Sequence, residues 1–151
     1  MSGSFNGTSY RDQLDRVERF FVRVQQHNKS HTEYDDDLWS FFIHAWALKD
    51  WIKNDEDLPE GARNRIVTEV EDDFDLQVCA DIANRTKHVV LNRHSRHDSK
   101  PVRRDVVVGG GIRSTHHIGL KSGDTVIAQE LAERVVAKWK ALLNELDEHA
   151  L

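Results

Sequence analysis

The residues best suited to chemistry lie in segment 81–88, which reads Asp-Ile-Ala-Asn-Arg-Thr-Lys-His. On a helix that turns by about 100° per residue, Asp81, Asn84 and His88 fall within about 60° of one another. Arg85 lies beside them, and His44 could join them from an earlier apolar helix. A histidine can move a proton, an arginine can stabilise phosphate charge, and Asn or Asp can orient the histidine. The segment therefore predicts acid–base chemistry on a phosphodiester.

A structural interpretation of the same residues remains open. Polar side chains between packed helices commonly bond to one another or cap neighbouring helix ends. In that case Asp81, Asn84 and His88 would be closed to solvent and would hold the fold together. A third interpretation is a solvated polar stripe along one side of the helix.

A basic segment follows directly. From Arg85 to Arg113 the chain carries eight Lys and Arg residues against two Asp, although the whole chain has a net charge of −5. Such asymmetry favours an anionic partner for one face of the protein, with a solvated loop as the alternative. The side chains expected to follow a nucleic-acid backbone are Arg93, Arg96, Lys100, Arg103 and Arg104.

Histidine clusters suggest metal binding as a further alternative. The chain has nine histidines, and one zinc site could use His94, His97, His116 and the carboxylate of Asp98. A second set, inside the helices, would be His44, Asp81 and His88. Neither spacing matches a standard ligand pattern, so we predict no metal ligands, and the sequence indicates no cofactor.

These residues require a mainly α single domain with about five helices. Apolar residues at helical spacing predict helices over about 9–26, from the acidic run 35–37 to about 52, from about 59, from about 76 to 91, and from about 125 to the end. Segment 92–124 breaks this pattern and is expected to form a short β-hairpin or extended excursion, with Gly109-Gly110-Gly111 at its tip. Residues 1–8 are expected to be a disordered tail, and 9–151 one helical domain.

Composition and cysteine content exclude several classes of protein. The only cysteine, Cys79, rules out an internal disulfide and lies in an apolar helical pattern that predicts a core position. The first residues lack the basic start and apolar run of a signal peptide. No apolar stretch approaches the roughly 18 residues that span a membrane. A cytoplasmic domain without a membrane contact is the expectation.

The five-helix plan, the apolar second helix and the Asn84-Arg85-Thr86-Lys87-His88 string resemble the HEPN superfamily of prokaryotic helical domains. The resemblance implies a toxin or phage-defence component that cleaves or binds RNA, acting as a homodimer that shares its site across two copies of the fourth helix. HEPN ribonucleases place the His four to six residues after the Arg, whereas Arg85 and His88 are three positions apart. The string Asp-Ile-Ala-Asn, followed by Lys-His, is also similar to small uncharacterised bacterial or prophage proteins.

The sequence thus leads to a primary hypothesis and two alternatives. The primary hypothesis is a HEPN-like domain that acts on, or binds, RNA or a nucleotide, through Asp81, Asn84, Arg85 and His88 with support from His44. The first alternative is a non-catalytic domain of a phage or defence system that binds another protein. The second is a helical bundle that holds a metal through His and Asp.

Overall fold

The computed structural model describes residues 9–86 and 96–149, and in these ranges it gives a mainly α fold with a small sheet before the last helix. The predicted fold class is confirmed. The elements in chain order are α1 (Tyr10–Gln25), α2 (His31–Lys53), α3 (Glu60–Asp72), α4 (Phe74–Arg85), β1 (Lys100–Val108), β2 (Ile112–Gly119), β3 (Thr125–Ile127) and α5 (Ala128–His149). Residues 1–8, predicted to be a disordered tail, lie outside the described residues.

Helix α2 is the centre of the molecule, as its nearly continuous apolar sequence predicts. Its residues Phe41, Ala45, Leu48 and Ile52 are fully buried. The other four helices all pack against it, and Trp139 of α5 is equally buried. None of the helices in the described ranges combines the length and the hydropathy that crossing a bilayer requires.

Helix α2 begins earlier than the acidic run predicts. Ser30 is its N-cap, and the Ser30 hydroxyl accepts the N–H of Glu33 while the Glu33 carboxylate accepts the N–H of Ser30. This reciprocal capping box starts the helix at His31, so the expected polar connection through Glu33 is wrong. Asp35 therefore lies within the helix rather than at its cap.

Three further boundaries differ from the expectation. Asp73 ends α3 and caps α4, because its carboxylate accepts the N–H of Leu76, so the acidic run contains a break. Helix α4 ends at Arg85 rather than near residue 91. Thr125–Ile127, expected to begin the last helix, forms β3 instead, because its three residues pair with His117–Gly119 of β2.

The strands form one antiparallel sheet in the order β1-β2-β3. The hairpin of β1 and β2 is longer than the expected short strands and turns at the three glycines. Its tip is held at the α1–α2 connection, where Asn28 donates its N–H to the Ile112 carbonyl and accepts the Ile112 N–H. Gly111 is needed there, because its φ is +129° and a Cβ would collide with the Asn28 side chain.

Candidate functional site

A cavity of about 270 Å³ opens between α2 and the β1–β2 hairpin. Most of its wall is apolar and comes from all three layers: Leu38, Trp39, Phe42, Ile82, Pro101, Val102, Ile118 and Ala128. Its polar residues are Asp35, Arg103, Arg104, His116 and His117. An apolar cavity with a few convergent polar groups is the usual form of a small-ligand site.

The side chain of Gln129 fixes the orientation of His116. Its amide oxygen accepts the N–H of His116 at 3.1 Å, and its amide nitrogen donates to the carbonyl of Ser114 at 3.0 Å. These two bonds continue the ladder of β2 beyond β3 and leave no freedom to exchange the amide oxygen and nitrogen. The amide nitrogen is also 3.0 Å from Nδ1 of His116, so Nδ1 must be the acceptor. In the neutral ring the proton is therefore on Nε2.

The Nε2–H of His116 lies inside the polar part of the cavity. It is 3.2 Å from Oδ1 of Asp35, yet it is a buried nitrogen that forms no hydrogen bond within the described part of the chain. Burial lowers the pKa of His116 below its ordinary value of 6.5, and the Asp35 carboxylate opposes this shift without cancelling it. The ring is consequently neutral at pH 7 and offers one N–H donor to a ligand.

The lowered pKa predicts a pH dependence that NMR can measure. The imidazole of His116 should titrate below pH 6.5. Because the unfolded chain binds this proton more readily, the stabilisation is complete above the unfolded pKa and is lost as the pH falls toward the folded pKa. In the His116→Gln variant, the free energy of unfolding should fall less steeply between about pH 7 and pH 5. A titration at or above pH 6.5 would contradict this interpretation.

Two arginines flank the imidazoles across the strand pair. Arg104 is opposite His116 in the register, and its guanidinium lies 3.5 Å from Asp35. Arg103 is opposite His117 and lies 3.4 Å from Asp105, whose carboxylate is 3.0 Å from Nε2 of His117. The mouth of the cavity therefore presents cationic donors and carboxylate acceptors side by side.

Asp81, the first residue of the predicted catalytic segment, is fully buried and serves as the anchor of a loop. Its carboxylate accepts the N–H groups of Arg96, His97 and Ser99 at 2.9–3.2 Å, and the Ser99 hydroxyl at 2.9 Å. These donors hold the chain in place just before β1 begins at Lys100. The contacts of Asp81 thus match the structural interpretation of this residue.

Arg85 holds the same loop from one turn further along α4. Its Nε donates to the Ser99 carbonyl at 2.5 Å, and its Nη2 donates to Asp98 at 3.0 Å. Asn84 is half-buried beside it. His88 lies outside the described residues, so the catalytic role predicted for the segment stays a prediction.

His44 is placed on another side of the molecule. Its ring stacks on Phe20 of α1 with centroids 4.5 Å apart, and its Nδ1–H donates to the Ser40 carbonyl at 2.6 Å. A shallow pocket beside it is lined by Arg16, Arg19, Phe20 and Arg23. The structure therefore does not bring His44 to the residues that Asp81 contacts.

The basic residues of the predicted nucleic-acid surface are divided. Lys100, Arg103 and Arg104 lie on β1, and the last two line the cavity. Arg96 instead packs its guanidinium over the ring of Trp46, 5.2 Å from the centroid. Arg93 lies outside the described residues.

The residues considered for metal binding have other partners. Nε2 of His97 is 2.8 Å from the amide oxygen of Gln77, and its ring packs on Phe74. His116 contacts Asp35 and Gln129 as described above, and His94 lies outside the described ranges. Within residues 9–86 and 96–149 no three His, Cys, Asp or Glu side chains are grouped to hold a metal ion. Cys79 is buried at 0% exposure, and burial raises the pKa of its thiol, as its predicted core position requires.

Sequence reasoning named four of the cavity's polar residues without assembling them. Arg103 and Arg104 were assigned to a nucleic-acid surface, His116 to a metal site and Asp35 to a helix cap. Gln129 was missed, because only the β2–β3 pairing shows that its side chain continues the sheet. Searches of protein-family models, curated proteins and solved structures find no match.

Proposed function

We propose that this domain binds a nucleotide, either free or within a single-stranded RNA, in the cavity between α2 and the hairpin. The observation that carries the proposal is the combination of an aromatic and aliphatic wall with paired donors and acceptors at one opening. The HEPN resemblance supports the same ligand class and adds a setting, a toxin or phage-defence component of the cytoplasm.

The apolar part of the cavity suits a nucleobase. Its volume of about 270 Å³ accommodates one nucleotide rather than a stretch of several. Trp39 is a half-buried indole on the wall, and bases in single-stranded RNA are commonly held by stacking on aromatic rings. Stacking of this kind contributes about 1–3 kcal/mol per base.

The polar groups suit the edge of a base and its phosphate. The Asp35 carboxylate accepts hydrogen bonds, and the adjacent Nε2–H of His116 donates one, so together they complement a base edge with a neighbouring donor and acceptor. Arg103 has a side chain that is 64% exposed, which leaves its guanidinium accessible to a phosphate. The two halves of a nucleotide thus find matching chemistry in one cavity.

Binding can be measured by isothermal titration calorimetry with the four ribonucleoside monophosphates and with a single-stranded RNA of about six nucleotides. Trp39→Ala should weaken binding about tenfold or more, because it removes the stacking surface. Arg103→Ala should weaken binding and reduce the salt dependence, because one phosphate contact is lost. Equal affinity for monophosphates and RNA would identify a free nucleotide as the ligand. Binding to RNA alone would identify a nucleotide within a strand.

The chain offers a matched control for each variant. Trp51→Ala removes another half-buried indole of α2, away from the cavity, and Arg65→Ala removes an exposed arginine of α3 that lies 3.9 Å from Glu145. Both controls should bind as the wild type does. The proposal fails if neither ligand binds, or if Trp39→Ala and Trp51→Ala have the same effect.

A further inference from the structure

Strand β1 leaves one edge of the sheet open. It is the outermost strand, and all nine of its residues are exposed. The described residues include seven exposed large hydrophobic side chains, and five of them belong to this hairpin: Val102, Val106, Val107, Val108 and Ile112. An exposed apolar edge strand presents unpaired N–H and C=O groups that can pair with another strand.

The hydrogen bonds of β2 show which main-chain groups it directs away from β1. Both the N–H and the C=O of Ile112 bond to Asn28. The carbonyl of Ser114 and the N–H of His116 bond to Gln129, on the same side. Because successive residues of a strand point their main-chain groups in opposite directions, the intervening residues Arg113, Thr115 and His117 face β1.

The register transfers this alternation to β1. Arg113, Thr115 and His117 are opposite Val107, Asp105 and Arg103, which therefore use their main-chain groups within the hairpin. The residues between them have N–H and C=O groups that point to the open edge. Those residues are Arg104, Val106 and Val108.

We propose that this edge binds the same edge of a second copy of the chain, with the two β1 strands antiparallel about a two-fold axis at Val106. This inference is independent of the nucleotide proposal. A two-fold axis at Arg104 would oppose two arginines, and one at Asp105 would oppose two carboxylates. At Val106 the outward-facing residues match, since Val106 meets its own counterpart and Arg104 meets Val108 of the partner subunit.

The sequence of β1 limits the pairing to these residues and favours a second copy as the occupant. Pro101 has no N–H to donate, so an added strand should stop before it. The paired stretch from Arg104 to Val108 ends short of that position and contains the most exposed valines, with Val107 at 64% and Val108 at 80% exposure. The same stretch supplies both halves of the interface, as a two-fold dimer requires.

Sedimentation velocity of the full chain over a range of concentrations tests the proposal. The wild type should reach twice the 17.5 kDa mass of one chain. Val106→Lys should raise the dimer dissociation constant at least about tenfold, because two lysines would face each other across the axis. Val22→Lys, at a valine of α1 that is 54% exposed, should leave the dimer unchanged. Circular dichroism should show that both variants remain folded.

Cysteine crosslinking tests the register and the identity of the partner. Under mild oxidation Val106→Cys should give a covalent dimer, because Cα atoms of a hydrogen-bonded pair are about 5.5 Å apart and within disulfide reach. Val107→Cys should not, because Val107 would face Asp105 of the partner subunit. The native thiol is buried at Cys79 and should not compete. A monomer at every concentration, including one whose edge pairs with a different protein, would overturn the proposal, as would equal crosslinking of the two variants.

Discussion

Replacing Asp81 by alanine should destabilise the protein by about 3 kcal/mol, because four donors in the 96–99 loop would lose their acceptor. Asp81 and Ser99 are both fully buried, so water cannot readily take over these bonds. Chemical denaturation followed by circular dichroism would give the change in the free energy of unfolding. Amide exchange at Arg96, His97 and Ser99 should accelerate more than exchange in α2, because the loop is released first.

Asp147→Ala is the matched control for this variant. Asp147 pairs with Arg11 on the surface, where both side chains are about half exposed, and such pairs contribute at most about 1 kcal/mol. Asp81→Asn should be intermediate, because it keeps one oxygen acceptor but turns an N–H₂ group toward the loop donors. If Asp81→Ala costs no more than Asp147→Ala, the carboxylate does not hold the loop.

Replacing Phe42 by alanine should cost about 3–5 kcal/mol, the range for removing a buried aromatic ring. Phe42 is 1% exposed and packs edge-on against Phe41, with ring centroids 5.3 Å apart. Its carbonyl accepts the thiol of Cys79, so the residue also joins α2 to α4. The midpoint of thermal unfolding should fall by on the order of 10 °C.

Phe74→Ala separates ring burial from residue type. Phe74 is 45% exposed and contacts the ring of His97, so its removal should cost about 1 kcal/mol or less. Phe42→Leu should cost about 1–2 kcal/mol, since it keeps most of the apolar volume. Similar losses for Phe42→Ala and Phe74→Ala would show that the wall between α2 and α4 is not packed around Phe42.

The helices could be predicted from local patterns, and their ends only in part. The capping box at Ser30 and Glu33 is visible in the sequence, but the acidic run that follows it offered a competing start. The fate of Thr125–Ile127 was not visible, because a short β-branched stretch fits a strand or a helix equally until β2 pairs with it. Local signals therefore fixed the type of most elements, and partners fixed their limits.

The candidate site shows the same division. The sequence identified a polar segment at Asp81 and Arg85, but it could not tell whether they face a substrate or the protein's own loop. Their partners at Arg96, Asp98 and Ser99 are more than ten residues away, and only folding aligns them. The cavity has the same origin, because it combines residues of α2, β1 and β2 that no sequence spacing relates.

By itself, the sequence determined the mainly α class, the central position of α2 and the hairpin turn at three glycines, because hydropathy period and backbone freedom are local properties. Tertiary structure alone decided that Asp81 bonds to main-chain donors, that Gln129 fixes the proton of His116 on Nε2, and that Val106 faces an open edge. Each of these depends on the position and direction of groups distant in the chain, and main-chain direction is set only when strands pair.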